Sequence, residues 1–254
     1  MSDTRRPLEG KVALVTGGSR GIGRSIARHL AAAGARVALT YHENASLAAD
    51  VVSRITADGA SAVSVHLSLP SRDSVRKALR EIGDVLGPVD ILVNNAGISQ
   101  EKPFESITDD DWVRMIAVNL QGPFMCTQEV LPGMVRKNWG RIINISSVGG
   151  QWGGFNQVHY AAAKAGLINL TKSTARIYGR HGITANAIAI GLVLTDMSRR
   201  EMESDEGRRK VETIPLGRAG EPEEVARVAV FLAGKGSAYV NGKTINVNGG
   251  MYVG

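Results

Sequence analysis

In the stretch HYAAAKAG, Tyr160 and Lys164 stand four residues apart among alanines and glycine. On an α-helix, positions i and i+4 project from one face, so phenol and amine would lie side by side. A free phenol titrates near ~10, too high for efficient proton exchange at neutral pH, and an ammonium beside it favours the phenolate. The pair is therefore either a proton-transfer unit or an accident of a solvated helix face.

A second chemical signal is TGGSRGIG (Thr16 to Gly23), which follows the strand-like KVALVTG and runs at once into a helical pattern. Glycines in that context let the backbone approach a pyrophosphate, and the helix N-terminus offers N–H groups and a positive dipole end. Gly17, Gly21 and Gly23, with Ser19, Arg20 and Ile22 between them, are thus candidate cofactor contacts; a tight turn with no ligand is the plain alternative. The next strand ends in Thr40, Tyr41 and His42, with no acid inside it. Together with Arg20 these residues favour NADP(H), whereas Glu43, near the distance at which an acid would bind a ribose hydroxyl, leaves NAD(H) open.

Elements must position these groups. β-branched runs at 11–17, 35–41, 61–67, 90–97, 140–147, 183–191 and 243–250 read as strands, separated by helical patterns at 21–33, 45–58, 72–86, 109–137, 157–180 and 222–234. Nearly continuous apolar strands indicate burial on both faces, the habit of a parallel sheet covered by helices. The fold class expected is α/β: a single doubly wound, Rossmann-like domain over 1–254, with a seven-stranded parallel sheet and helices on both faces. Its cofactor half would be about 1–150 and its catalytic half about 110–254. Asp109 is a plausible N-cap, and Gly34, Gly59 and Gly87 follow helical runs as C-cap glycines would. The charged, Met-containing stretch 192–220 fits either a mobile lid or an exposed helical excursion.

Composition narrows the class. With 254 residues and 43% hydrophobic content the chain can bury one sizeable core. A single cysteine, Cys126, precludes an intramolecular disulfide and has no metal-ligand partner in spacing, so a reducing cytoplasm fits and Cys126 reads as a small buried helix residue. No apolar h-region follows the N-terminal basic residues and no run long enough to span a bilayer occurs, which argues against secretion and membranes. The formal charge of +6 is scattered, as in RREMESDEGRRK, without stacking aromatics, which argues against nucleic acid but suits an anionic cofactor or an acidic carrier. His29, His66 and His159 lack ligand-like spacing and read as surface or packing residues, and no metal is expected. Trp112 and Trp139 would pack, while Trp152 and Phe155 could line a substrate pocket.

With TGGSRGIG, NNAG (Asn94 to Gly97), VNL around Asn119, NISS (Asn144 to Ser147) and Tyr160-x-x-x-Lys164, the chain resembles the short-chain dehydrogenase/reductases over nearly its whole length. The resemblance implies Tyr160 as acid/base, Lys164 as the residue that lowers its pKa and holds the nicotinamide ribose, Ser147 as hydrogen-bond partner of the substrate carbonyl, and Asn119 as the residue orienting a water that connects Lys164 to solvent. It assigns Asn94, Ala96 and Gly97 to the adenosine side, Leu67 and Ser68 to adenine, and Gly191, Val193 and Thr195 to the nicotinamide. Thr195 could equally be a helix N-cap. The segments VNGGMYVG, GRIINISSVGG and IPLGRAGEPEEVA are most similar to 3-oxoacyl-ACP reductases, and QWGGFNQVHYAAAKAG also to acetoacetyl-CoA reductases. An NADPH-dependent ketoreductase of acyl thioesters is the implied function, with an acyl carrier protein as implied partner and a homotetramer as implied assembly.

Three departures from the family pattern stand out. Ile190 stands where proline is usual, Ser68 replaces the usual aspartate at the end of the third strand, and Asn138-Trp139 and His181 occupy positions where basic docking residues would be sought. Arg136, Lys137 and Arg180 could substitute as rim charges that steer an acidic partner. A reductase for another small carbonyl is the nearest rival. A dinucleotide-binding regulatory protein is the rival from another class, disfavoured because a pure binder has no need of the phenol.

Overall fold

The computed structural model describes residues 6–195 and 204–254. Seven strands, β1 (Val12–Val15), β2 (Arg36–Tyr41), β3 (Ala62–His66), β4 (Ile91–Asn94), β5 (Gly140–Ser147), β6 (Ile183–Ile190) and β7 (Thr244–Val247), lie in the order β3-β2-β1-β4-β5-β6-β7. Every pairing is parallel. Sequence order reverses at β1, and a crevice opens beyond the carboxyl ends of β1 and β4, where such sheets bind ligands. All seven runs anticipated as strands are strands, trimmed by a few residues where chain-end backbone turns toward loops.

The helices are α1 (Gly21–Ala32), α2 (Ala45–Ala57), α3 (Arg72–Leu86), α4 (Asp109–Ile116), α5 (Gly122–Lys137), α6 (Gly149–Trp152), α7 (Val158–Tyr178), α8 (Asp205–Glu212) and α9 (Pro222–Ala233). One apolar layer joins Ile26 and Leu30 of α1, Val51 and Ile55 of α2 and Val225 and Leu232 of α9 to the sheet. The other joins Val75 and Ile82 of α3 to Val130 and Met134 of α5. Each such side chain, fully buried, contributes about 1.5–3 kcal/mol. Strands covered on both faces explain the unbroken burial of β1 and β4.

Two expectations about helices need correction. The pattern 109–137 is not one helix: α4 and α5 are joined by a π-helical segment, Ala117–Gln121, which inserts an extra residue into the turn and rotates Asn119 into the interior. Asp109 is not the N-cap of α4; Thr108 is, its hydroxyl accepting from the Asp111 N–H while the Asp111 carboxylate accepts from the Thr108 N–H. Gly34 and Gly59 do follow α1 and α2 with left-handed backbone, φ +101° and +82°, and Gly87 ends α3 at φ +92°.

The lid or helical excursion expected in 192–220 falls partly on 196–203, which lie outside the described residues. Within the described part, the Ser204 side chain caps α8 by accepting from the Gly207 N–H at 3.0 Å. Among the described residues no helix is long and apolar enough to cross a membrane, and no cluster of side chains could hold a metal ion. Cys126 is buried, and burial pushes its thiol up to about 12, as befits a packing residue.

Candidate active site

The glycine turn between β1 and α1 is held by backbone and short side chains. The Gly17 N–H donates to Thr40 Oγ1 at 3.1 Å, and the Asn95 amide donates to the carbonyls of Thr16 and Gly17, each at 3.0 Å. Thr16 Oγ1 in turn accepts from the N–H groups of Asn95 and Ala96. Glycine is required: a Cβ on Gly23 would lie 2.2 Å from the Gly17 carbonyl oxygen, and one on Gly18 2.6 Å from Leu39 Cβ. No side chain caps α1 and its first turn carries no acid, so the N–H groups of that turn and their dipole face the crevice unopposed.

That crevice is a cavity of about 630 Å³. Of the expected cofactor contacts, Gly17, Ser19, Arg20, Gly21, Ile22, Gly23, Tyr41, His42, Leu67, Ala96, Gly97 and Thr195 all line it. Glu43 lines it as well, beside His42. Thr195 meets the turn itself: a Cβ on Gly21 would lie 3.3 Å from its Cγ2.

Other expected contacts sit elsewhere. Asn94 is buried in the sheet, donating to Thr127 Oγ1 at 3.2 Å and Asn144 Oδ1 at 2.8 Å; its neighbour Asn95 lines the cavity instead. Successive residues of an extended chain face opposite ways, so only one of the two asparagines can reach the crevice. Ser68 does not line the cavity, because its N–H donates to Ser74 Oγ at 2.9 Å at the start of α3; Leu67, Leu69 and Pro70 form that wall. Gly191 and Val193 are also outside it. A Cβ on Gly191 would meet Asn248 Cα at 2.8 Å, and Val193 bridges Gly220. Ile190, where the family has proline, ends β6 in register with Ser147 and Val247 and packs against the core.

The catalytic candidates gather at the carboxyl ends of β5 and β6. Ser147 ends β5, and its hydroxyl hydrogen-bonds Tyr160 and accepts from the Gly149 N–H at 3.1 Å. Tyr160 lies in the first turn of α7, and one turn on Lys164 Nζ lies 5.5 Å from the phenol ring centre and donates to the Ile145 carbonyl at 2.9 Å. The helical neighbourhood expected from the spacing is therefore present, although neither residue is among those lining the cavity.

Burial raises the Tyr160 phenol above its ordinary value, the Ser147 hydrogen bond working in the opposite direction, and burial lowers Lys164 to about 8.

Asn119 is fully buried; its amide donates to the carbonyls of Ile98 and Met115, and its oxygen accepts from the Ile98 N–H at 3.3 Å. It pins the loop after β4 beside Lys164, since a Cβ on Gly97 would lie 2.6 Å from Asn119 Oδ1 and 3.6 Å from Lys164 Nζ. Asn95 was missed by sequence reading, its signal being the doubled asparagine at a strand end.

The remaining expectations divide. Trp139 packs beneath Lys11 and Arg141, whose cations lie 3.9 Å and 4.5 Å from its ring centre, whereas Trp112 is exposed. Phe155 is 95% exposed and Trp152 meets Tyr252 edge-on, and neither is among the residues lining the glycine-turn cavity. Lys137 is committed to Asp90 and the Pro88 carbonyl. His66 meets Tyr41 edge-on and lies tilted against His42, and His29 bonds the Ser25 carbonyl, but His159 is completely buried and bonded to Gln100.

The model of a family described as enoyl-(acyl carrier protein) reductase matches residues 17–252. A 3-oxoacyl-[acyl-carrier-protein] reductase of Aquifex aeolicus is 45% identical over 247 residues, 96% of this chain and 98% of that protein. A putative gluconate dehydrogenase from Agrobacterium tumefaciens superposes with a TM-score of 0.94 at 37% identity, covering 98% of both chains. A gluconate 5-dehydrogenase from Burkholderia cenocepacia, solved with NADP and tartrate, superposes with a TM-score of 0.91 at 36% identity, covering 98% of this chain and 97% of that one. With its sheet order, its glycine turn and the grouping of Ser147, Tyr160, Lys164 and Asn119, the chain belongs to the short-chain dehydrogenase/reductase family.

Proposed function

We propose that the protein is an NADPH-dependent ketoreductase that reduces the 3-keto group of 3-oxoacyl thioesters to the 3-hydroxyacyl product. The observation that carries it is the grouping of Ser147 with the half-buried Tyr160 phenol and the buried Lys164 amine one turn on, at the same carboxyl side of the sheet as the glycine-floored cavity. The 45% identity to a 3-oxoacyl-[acyl-carrier-protein] reductase over nearly the whole chain supports the substrate class.

The turn suits a dinucleotide. Its uncapped helix start and the absence of room for any Cβ at Gly23 leave bare N–H groups for a pyrophosphate, and Arg20 and His42 border the end where an adenosine phosphate would sit. Glu43 beside them is the feature that leaves weaker use of NADH open. Residues 1–150 would then hold most of the cofactor, and 110–254 the catalytic groups.

When bound, the reduced nicotinamide supplies the hydride that adds to the ketone carbon as the C=O π bond opens. Tyr160, its proton retained by burial, protonates the carbonyl oxygen. Ser147 donates to that oxygen and steadies its developing charge. Lys164, held against Ile145, places its ammonium near the phenol left unprotonated, and Asn119 keeps the Gly97–Ile98 loop beside it.

An acyl carrier protein is the proposed carrier: Arg136 and Arg180 remain exposed as basic rim residues. The short edge strand β7 and the exposed apolar residues Trp112, Val113, Phe124, Phe231 and Val253 support a homotetramer, and the lone buried cysteine a cytoplasmic setting.

The test is NADPH oxidation with acetoacetyl-ACP and acetoacetyl-CoA in parallel. Turnover of either, reduced about 10²–10⁴-fold by Tyr160→Phe while NADPH binding persists, is the expected result, and the ratio of the two kcat/KM values assigns the carrier. Turnover of neither, with NADPH bound, rejects the thioester substrate.

A further inference from the structure

Tyr160 occupies an unusual place for a group that must be held rigidly. It lies in the first turn of α7, where the N-cap, Gln157, makes no side-chain capping bond. First-turn N–H groups lack intrahelical partners, and a turn without a cap frays. Something else must hold it.

The loop that follows β4 makes three bonds to this start. The Lys102 N–H donates to the Asn156 carbonyl at 2.7 Å, Gln157 Nε2 to Glu101 Oε1 at 3.2 Å, and His159 Nε2 lies 2.8 Å from Gln100 Oε1. Gln100 is itself oriented by α4, its Nε2 donating to Asp111 Oδ1 at 3.0 Å. Asp111 also takes Lys102 and both the N–H and hydroxyl of Thr108, and these bonds hold its carboxyl well below the usual carboxylate range. An ionised carboxylate only accepts, so Gln100 must present its amide nitrogen to Asp111 and its oxygen to His159. That assigns Nε2–H of His159 as the donor. Its Nδ1 is buried with no hydrogen-bond partner, so the whole polar anchorage of the imidazole runs through Gln100.

We propose that His159 is a positioning residue for Tyr160: through Gln100 and Asp111 it locks the first turn of α7 to the start of α4. From α4 the connection reaches the second half of the site, since Met115 and Ile98 are the residues that hold Asn119. The relay therefore sets the phenol and Asn119 in one frame. This inference rests on the reading of Tyr160 as the proton donor.

His159→Leu and Gln100→Leu test it, with His159→Gln, which keeps a side-chain donor, as the rescue and Tyr160→Phe as the control on the parent reading. Leucine at 159 removes one hydrogen bond together with one unpartnered buried nitrogen, so the thermal midpoint should move little. Expected are kcat values for acetoacetyl thioester reduction about tenfold lower in both leucine variants, NADPH dissociation constants by fluorescence titration within about twofold of the parent, substantial recovery in His159→Gln, and a double leucine variant no slower than either single. Parent-like kcat in His159→Leu, additive losses in the double variant, no recovery in His159→Gln, or weakened NADPH binding parallel to the loss of kcat would each overturn the relay. If Tyr160→Phe keeps full turnover, it is the acid/base reading that falls; if that variant is dead and His159→Leu is unimpaired, only the relay falls.

Discussion

The two ends of the site are built in opposite ways. The cofactor end is a backbone structure: glycines without room for a Cβ, an uncapped helix start, and Thr16, Thr40 and Asn95 clamping the turn by short hydrogen bonds. The catalytic end is a side-chain structure, in which Ser147, Tyr160, Lys164 and Asn119 come from three separate segments and depend on burial and on one another. The first needs exact sterics and tolerates little change in shape. The second needs charges held out of water, and is tuned by what surrounds each group.

The sharpest break in this comparison is Gly23→Ala. A methyl 2.2 Å from a carbonyl oxygen forces the turn open; overpacking of this kind costs about 1–3 kcal/mol, so NADPH affinity measured by fluorescence titration should fall about tenfold or more. Turnover at saturating cofactor should suffer much less, because the catalytic end does not share that turn.

The paired asparagines sharpen the same contrast. Asn95→Ala removes two bonds to the glycine turn and should weaken NADPH about fivefold while leaving denaturant stability nearly unchanged. Asn94→Ala should do the reverse, costing about 1–3 kcal/mol in urea unfolding with cofactor affinity preserved, because it strips Asn144 Oδ1 of its buried donor.

The smallest effect is expected from pH. Burial places Lys164 near 8, so its ammonium is present below that value and is lost as pH rises through it. Ketone reduction should decline a few-fold between about pH 7 and 9, whereas NADPH affinity, set by backbone, should stay flat across the window. The same shift has a stability sign: the folded chain binds this proton less tightly than the unfolded one, so the penalty is complete below about 8 and is relieved as pH climbs toward 10.5. Thermal melts of Lys164→Met against the parent check that sign.

Much of this was legible in the sequence. Seven apolar, β-branched runs became seven strands because strands covered on both faces leave a continuous apolar signature that local composition carries. TGGSRGIG was equally plain, since a turn that admits no Cβ can be written only with glycine at those positions. The i, i+4 placement of Tyr160 and Lys164 followed from helix geometry alone.

What escaped the sequence depends on contacts between distant segments. The π-helical turn at Asn119 lies between α4 and α5, where the Asn119 side chain bonds the loop after β4, and no periodicity announces it. Which of Asn94 and Asn95 faces the cavity depends on strand register, and a shift of one residue exchanges them. His159 looked like any isolated histidine because its partner, Gln100, is remote in sequence. The sequence by itself determined the strand order's raw material, the glycine turn and the chemistry available; the tertiary structure decided which polar groups are desolvated, Asn119, His159 and Lys164 among them. Local pattern encodes shape, but the dielectric around a charge is set by everything folded against it.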